Sequence, residues 1–280
     1  MSKKYFIPIF GGIDYRLSKL FSLEEDLTTD YHGSIDISVC EKTEPDEIIA
    51  SMITGKPPQE HGILGSMHYT NPLVRKVEEI LPEWGEMYRR KIYTNKGWDF
   101  CRRRRYIESE IETSTVFDQN ICARPLFLPS YNPEIQWLIF RNTIRANEYP
   151  GLGEKESEKL IEKNFQWRKK VLEKELKRDY DLLMIHFQYI DSIQHVYYEN
   201  NWDMEKVRKA YDRIGSYCNE LIKSASSNGF DETIILSEYG VPSRTDSGDS
   251  HHRTPFYPST TPLSGKSINV ENILNQIELL

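Results

Sequence analysis

Three short apolar runs, each followed closely by an acid, constrain this chain more than any other feature. YFIPIF at 5–10 leads into Gly11-Gly12-Ile13-Asp14, DLLMIHF at 181–187 into a segment carrying Asp191 and His195, and TIILS at 233–237 into Glu238-Tyr239-Gly240. Unbroken apolar runs of this length read as strands buried on both faces, the pattern of a parallel sheet. Two long helices are predicted near them. Over 154–178, Leu160, Ile161, Phe165, Val171, Leu172 and Leu176 are spaced for one apolar face. Over 203–226, Met204, Val207, Tyr211, Ile214, Cys218, Leu221 and Ala225 recur at three- and four-residue steps, and Ser227-Asn228-Gly229 stops the run. Helix–strand–helix–strand alternation predicts an α/β fold: a three-layer sandwich around a mostly parallel central sheet.

The remaining elements are shorter. SIDISV at 34–39 alternates as a strand, and 46–54 reads as a helix with Pro45 before it, Asp46 and Glu47 in its first turn, and Gly55 with Pro57-Pro58 ending it. LFLPSY at 126–131 is a further strand candidate within an irregular stretch from about 66 to 150, which reads as a cap or insertion on a single domain spanning 1–280. Hydrophobic residues make up 38% and aromatics 12%, enough for a large core and against disorder.

A net charge of -7 and a pI near 5.6 argue against direct binding to a nucleic-acid backbone. The run Arg102–Arg105 is the local exception, a solvated face or an anion site. Cys40, Cys101, Cys122 and Cys218 show no zinc or disulfide spacing and are expected as reduced thiols. No apolar run approaches the roughly 20 residues of a membrane span, and residues 1–10 do not form a secretory signal. A cytoplasmic protein with no membrane association is therefore expected.

The acids carry the chemical argument. Asp14, Asp191 and Glu238 each follow a predicted strand, so a parallel sheet would gather them at one edge. Carboxylates crowded there repel unless protons or cations compensate, and a metal site is the natural outcome. Asp191 and His195 are four residues apart, one face of a helical turn. The pair His251-His252 in a polar loop offers a further imidazole. Thr43 precedes a predicted helix N-terminus. It is an N-cap or turn residue, or a hydroxyl held beside metal for attack on phosphorus.

These motifs bear a resemblance. T-G-K-P-P-Q-E-H-G-I at 54–63 resembles the T-G-x-x-P-x-x-H-G-I segment of the alkaline phosphatase superfamily, in its type I phosphodiesterase/nucleotide pyrophosphatase branch. G-I-D at 12–14, D-x-x-x-H at 191–195, S-E-Y-G at 237–240 and the histidine pair follow in the family's order. The resemblance implies an alkaline-phosphatase-like fold and two divalent metals, Zn²⁺ foremost, with Mn²⁺ or Mg²⁺ at the second site. It implies Asp14 as a ligand, Thr43 as nucleophile and metal bridge, and Asp191, His195 and His252 (or His251) as one ligand set. Thr54 and His61 would be structural. Glu238 would complete the second site, where relatives carry Ser-Asp-His-Gly and this chain carries Ser237-Glu238-Tyr239-Gly240. A neutral tyrosine, with a pKa of about 10, is a poor ligand.

The expected activity is that of a metal-dependent phosphodiesterase or phosphatase acting on a small phosphorylated substrate, a nucleotide among the candidates. The alternative is a degenerate relative that binds a phosphorylated ligand or protein partner without turnover. Thr43-Glu-Pro-Asp-Glu does not carry the sulfatase nucleophile pattern Cys/Ser-x-Pro-x-Arg. A phosphoglycerate mutase relies on serine and a larger insertion, and ranks last.

Overall fold

The computed structural model describes residues 3–65, 106–132, 153–198, 203–242, 251–265 and 267–280, with the backbone alone of 68–69, 103–104 and 199. The cap or insertion expected at about 66–150 lies largely outside the described residues, as do Cys101 and the side chains of the arginine run. In chain order the main elements are β1 (Tyr5–Phe10), α1 (Tyr15–Leu20), β2 (Tyr31–Asp36), α2 (Pro45–Thr54), β3 (Ala123–Leu126), α3 (Glu154–Glu175), β4 (Leu182–Phe187), α4 (Tyr189–Gln194), α5 (Met204–Ser227), β5 (Glu232–Thr233), β6 (Phe256–Ser259) and β7 (Ser267–Asn269).

The central sheet has the order β3-β4-β1-β5, and every pairing in it is parallel. Strand alternation divides its side chains between two cores. Phe6, Phe10, Leu183, Ile185 and Phe187 face α3 and α5, meeting Phe165, Leu172, Ile214 and Leu221. Tyr5, Ile7, Ile9, Leu182 and Met184 face the other way, onto Ile48, Ile49, Met52 and Ile53 of α2 and the C-terminal Ile273 and Leu274. The sheet is thus covered on both faces, as the runs of apolar residues require. A smaller sheet, β6-β2-β7, packs on the α2 side through Ile35, Tyr257 and Ile268.

Three strand boundaries differ from the sequence reading. The run expected at 233–237 is a strand only at Glu232–Thr233 and continues by single bridges from Ile234 to Ser259 and from Leu236 to Ile9. The strand expected at 34–39 lies at 31–36, because its partners Phe256–Ser259 and Ser267–Asn269 set its extent. The one expected at 126–131 lies at 123–126, where it pairs with Leu182–Ile185. Phe127 and Ser130, at φ 59° and 60°, break it into a turn. Among the described residues no helix is long and apolar enough to cross a membrane.

Thr54 and His61 close the end of α2. Thr54 Oγ1 donates to the Ala50 carbonyl at 2.7 Å. The Ile63 N–H donates to His61 Nδ1 at 3.2 Å, which leaves Nε2–H to donate to Ser51 Oγ at 2.9 Å. Burial lowers the His61 pKa from 6.5 to about 4. The unfolded chain therefore takes up a proton below pH 6.5 that the folded chain refuses until about pH 4. Stability is full above pH 6.5 and falls as the pH drops toward 4, by up to about 3 kcal/mol from this residue. Urea unfolding between pH 7.5 and 4.5 measures it. His61→Gln should flatten that slope, and an unchanged slope would remove the assignment.

Candidate metal centre and nucleophile

The parallel register brings three strand ends to one edge. Phe10 pairs with Phe187, and the Phe10 N–H donates to the Leu236 carbonyl at 2.8 Å. The turn after β1 meets α4 directly, since the Asp191 N–H donates to the Gly11 carbonyl at 3.0 Å. Gly12 has φ +88°, and a Cβ there would stand 2.6 Å from Gln194 Oε1 and 3.0 Å from Asp191 N. Only glycine lets this turn sit so close to the helix bearing Asp191.

Asp191 lies in the first turn of α4 and His195 at its C-cap, so the four-residue spacing puts both on one face. His195 Nε2 is 3.4 Å and His251 Nε2 3.0 Å from Asp191 Oδ1. These three residues are the group of His, Cys, Asp and Glu side chains that could hold a metal ion among the described residues, with ligand atoms all within 4.8 Å of one another. Burial pushes the Asp191 carboxyl up, but the neighbouring His195 and His251 outweigh it and hold the pKa well below the usual carboxylate range. One anionic oxygen facing two imidazole nitrogens fits a divalent cation.

The histidine in this group is His251, not His252. The chain is extended here, with a bridge from Pro242 to His251 and paired hydrogen bonds between His252 and both Gly240 and Val241. Adjacent side chains on extended backbone point to opposite faces. Burial and the nearby Arg16 lower the His252 pKa.

Thr43 is buried next to the group, and its Oγ1 accepts the His251 N–H at 3.0 Å. It is not the N-cap of α2; Glu44 is. The loop presenting Thr43 is clamped through both kinds of backbone group. Glu47 accepts the N–H groups of Glu41, Lys42 and Gly65 at 2.6, 3.2 and 2.9 Å. Arg253 donates to the carbonyls of Cys40 and Glu41 at 2.7 and 2.6 Å. Arg253 therefore braces this loop.

The acids expected at a second metal are engaged with protein donors. Asp14 caps α1: its Oδ1 accepts the N–H groups of Arg16 and Leu17 at 2.8 and 3.2 Å. Its Oδ2 accepts the Thr254 hydroxyl at 2.7 Å and lies 3.3 Å from the Arg16 guanidinium. Glu238 is fully buried and faces His186, with Nε2 2.9 and 2.8 Å from its two oxygens. Tyr239 is buried too and stacks on His251, ring centroids 4.0 Å apart at 28°. Burial first, then the charges of Asp191 and Glu238, push the tyrosine pKa well above 10, so it remains a neutral phenol. Asp14 thus has both oxygens taken by protein donors, whereas Glu238 has one, its Oε2 having no hydrogen-bond partner.

His186 and Arg168 went unread in the sequence, although a signal existed. Arg168 occupies the apolar stripe of α3 between Phe165 and Leu172 and is 1% exposed. His186 interrupts an otherwise apolar strand. A charge and an imidazole in buried positions require partners.

Comparison with the curated proteins finds no match. Among solved structures, the chain is similar to phosphonoacetate hydrolase from Sinorhizobium meliloti 1021 in complex with phosphonoformate, at 12% identity and a TM-score of 0.50, over 89% of this chain and 59% of that one. It is also similar to murine ectonucleotide pyrophosphatase/phosphodiesterase 5, inactive and in complex with AMP, at 12% identity and 0.45, over 86% and 57%. The chain thus spans less than two thirds of the length of either. The first likeness shows the fold alone. Residues 48–256 match the family described as type I phosphodiesterase/nucleotide pyrophosphatase, and with most of its length in that match the chain belongs to this family.

Proposed function

We propose that the chain is a metal-dependent phosphohydrolase acting on a small phosphodiester or phosphomonoester, with Thr43 as nucleophile. The observation that supports this reading is the contact of Thr43 with the candidate metal ligands: its Oγ1 accepts the backbone N–H of His251, whose ring faces Asp191 alongside His195. Asp191, His195 and His251 would hold a divalent ion, Zn²⁺ by its nitrogen-rich donor set. Such an ion polarises a phosphoryl oxygen and lowers the pKa of a bound hydroxyl.

The protein's own part is attack and positioning. Thr43 loses its hydroxyl proton to solvent, and its oxygen forms a new bond to phosphorus in line with the leaving oxygen. The bond to that leaving oxygen breaks, and the alcohol or phosphate departs with the electron pair and takes up a proton. Water then attacks the phospho-threonine and restores the hydroxyl. Glu47 and Arg253 hold the loop so that the oxygen does not swing away. A nucleotide substrate is in keeping with the family.

The test is hydrolysis of bis-p-nitrophenyl phosphate and p-nitrophenyl phosphate by chelator-stripped protein, before and after addition of Zn²⁺, Mn²⁺ or Mg²⁺. Activity should vanish on stripping and return with at least one ion; turnover that survives stripping counts against the reading. A second reading, a binding protein without turnover, draws on Tyr239 and the engaged Glu238. It expects metal uptake and phosphate-ester binding with no hydrolysis, and native turnover ends it.

A further inference from the structure

Glu238 and Tyr239 stand where the resemblance implies Asp and His, and the structure gives Glu238 a partner set. From Glu238 the contacts run inward. His186 Nε2 sits 2.9 Å from Oε1, and the far ring nitrogen, Nδ1, lies 3.4 Å from the Arg168 guanidinium. Arg168 also donates to the His186 carbonyl. Arginine has no acceptor, so Nδ1 must be the lone-pair nitrogen and Nε2 the one whose proton goes to Glu238. The imidazole thereby links a buried cation to a buried anion. Tyr239, next in the chain, is buried beside the same carboxylate. All four side chains are buried to within about 1% of full enclosure.

Geometry at Gly11 shows how close this network runs to the metal group. A Cβ built on Gly11 would be 3.1 Å from Glu238 Oε1, 3.2 Å from Tyr239 Oη and 3.3 Å from Asp191 Cβ. Glu238 Oε1 shares the His186 hydrogen bond, while Oε2, 2.8 Å from the same nitrogen, has no hydrogen-bond partner of its own. Drawing Glu238 away from His186 would strand an imidazole N–H and remove the counter-charge of Arg168 in the core, a change that costs several kcal/mol in a buried ion pair. Asp14 offers little in exchange, because the helix it caps, Thr254 and Arg16 already take its oxygens.

We infer that this chain is built for a single divalent ion, held by Asp191, His195 and His251, and that the buried Arg168–His186–Glu238 chain with Tyr239 stands in place of a second. Arg168 supplies the positive charge that an ion would have brought to the carboxylate. His186 and Arg168 are then positioning residues: they fix Glu238, which fixes the Tyr239 ring against His251. The inference rests on the metal-centred reading above, and it changes the stoichiometry that reading would otherwise assume.

Metal binding measured by calorimetric titration of the chelator-stripped full chain with Zn²⁺, and by elemental analysis after gel filtration, tests it. The wild type should take one equivalent. Glu238→Gln, a near-isosteric change that keeps an acceptor for His186, should still take one, with affinity within about tenfold. Asp191→Asn should bind at least about 100-fold more weakly. Two equivalents in the wild type, or loss of the bound equivalent in a folded Glu238→Gln protein, would overturn the single-ion inference and leave the phosphohydrolase reading intact. No bound ion in the wild type would overturn both. The wild-type stoichiometry decides the matter even if the variant does not fold.

Discussion

Asp191→Asn is expected to abolish metal-dependent turnover, lowering kcat/KM by about three orders of magnitude or more. An ion acting as Lewis acid contributes several kcal/mol to phosphoryl transfer, and each 1.36 kcal/mol is about tenfold in rate. Asp191 is the sole carboxylate of the group and the acceptor shared by both imidazoles, so its loss removes the charge that attracts the cation. Amide for carboxylate leaves the shape nearly unchanged, which makes the comparison clean. Thermal unfolding separates loss of metal from loss of fold. An ion that binds the native state alone raises its stability by RT ln(1 + [L]/Kd). Adding Zn²⁺ should therefore raise the wild-type melting temperature and leave Asp191→Asn where it was. An equal rise in both proteins would place the ion elsewhere.

Thr43→Ala should be the second large effect, with kcat falling by at least about a thousandfold while metal binding persists. The hydroxyl accepts one backbone hydrogen bond, from His251, so its removal also costs about 1–3 kcal/mol in stability. Thr43→Ser separates the two contributions. It retains the oxygen and should keep turnover within about tenfold of wild type. Rapid acid quench with a p-nitrophenyl ester should add one phosphoryl group to the peptide containing Thr43 in the wild type and none in the alanine variant. Alanine turnover equal to wild type would remove Thr43 from the chemistry and leave it a loop residue.

Much of the fold was legible because burial on both faces of a strand needs nothing but an unbroken apolar run. β1, β4, α2, α3 and α5 all lie within a few residues of their sequence expectations. β2 and β3 were displaced because their ends are set by partners far away in the chain, Phe256–Ser259 and Leu182–Ile185. In the site, the meeting of Asp191 and His195 was readable from helical spacing directly after a buried strand. The choice between His251 and His252 was not, because parity on an extended segment depends on the bridge to Pro242.

The sequence by itself determined that three acids would arrive at one edge of a parallel sheet, since strand direction and the position of each acid are local properties. Only the tertiary structure decided what each acid does there. Asp191 meets two imidazoles, Asp14 meets the N-terminus of its own helix, and Glu238 meets His186 and, through it, Arg168. A buried carboxylate takes whichever cation or donor set satisfies it most completely. That outcome depends on groups more than 50 residues away in the chain, the separation of His186 from Glu238 being 52.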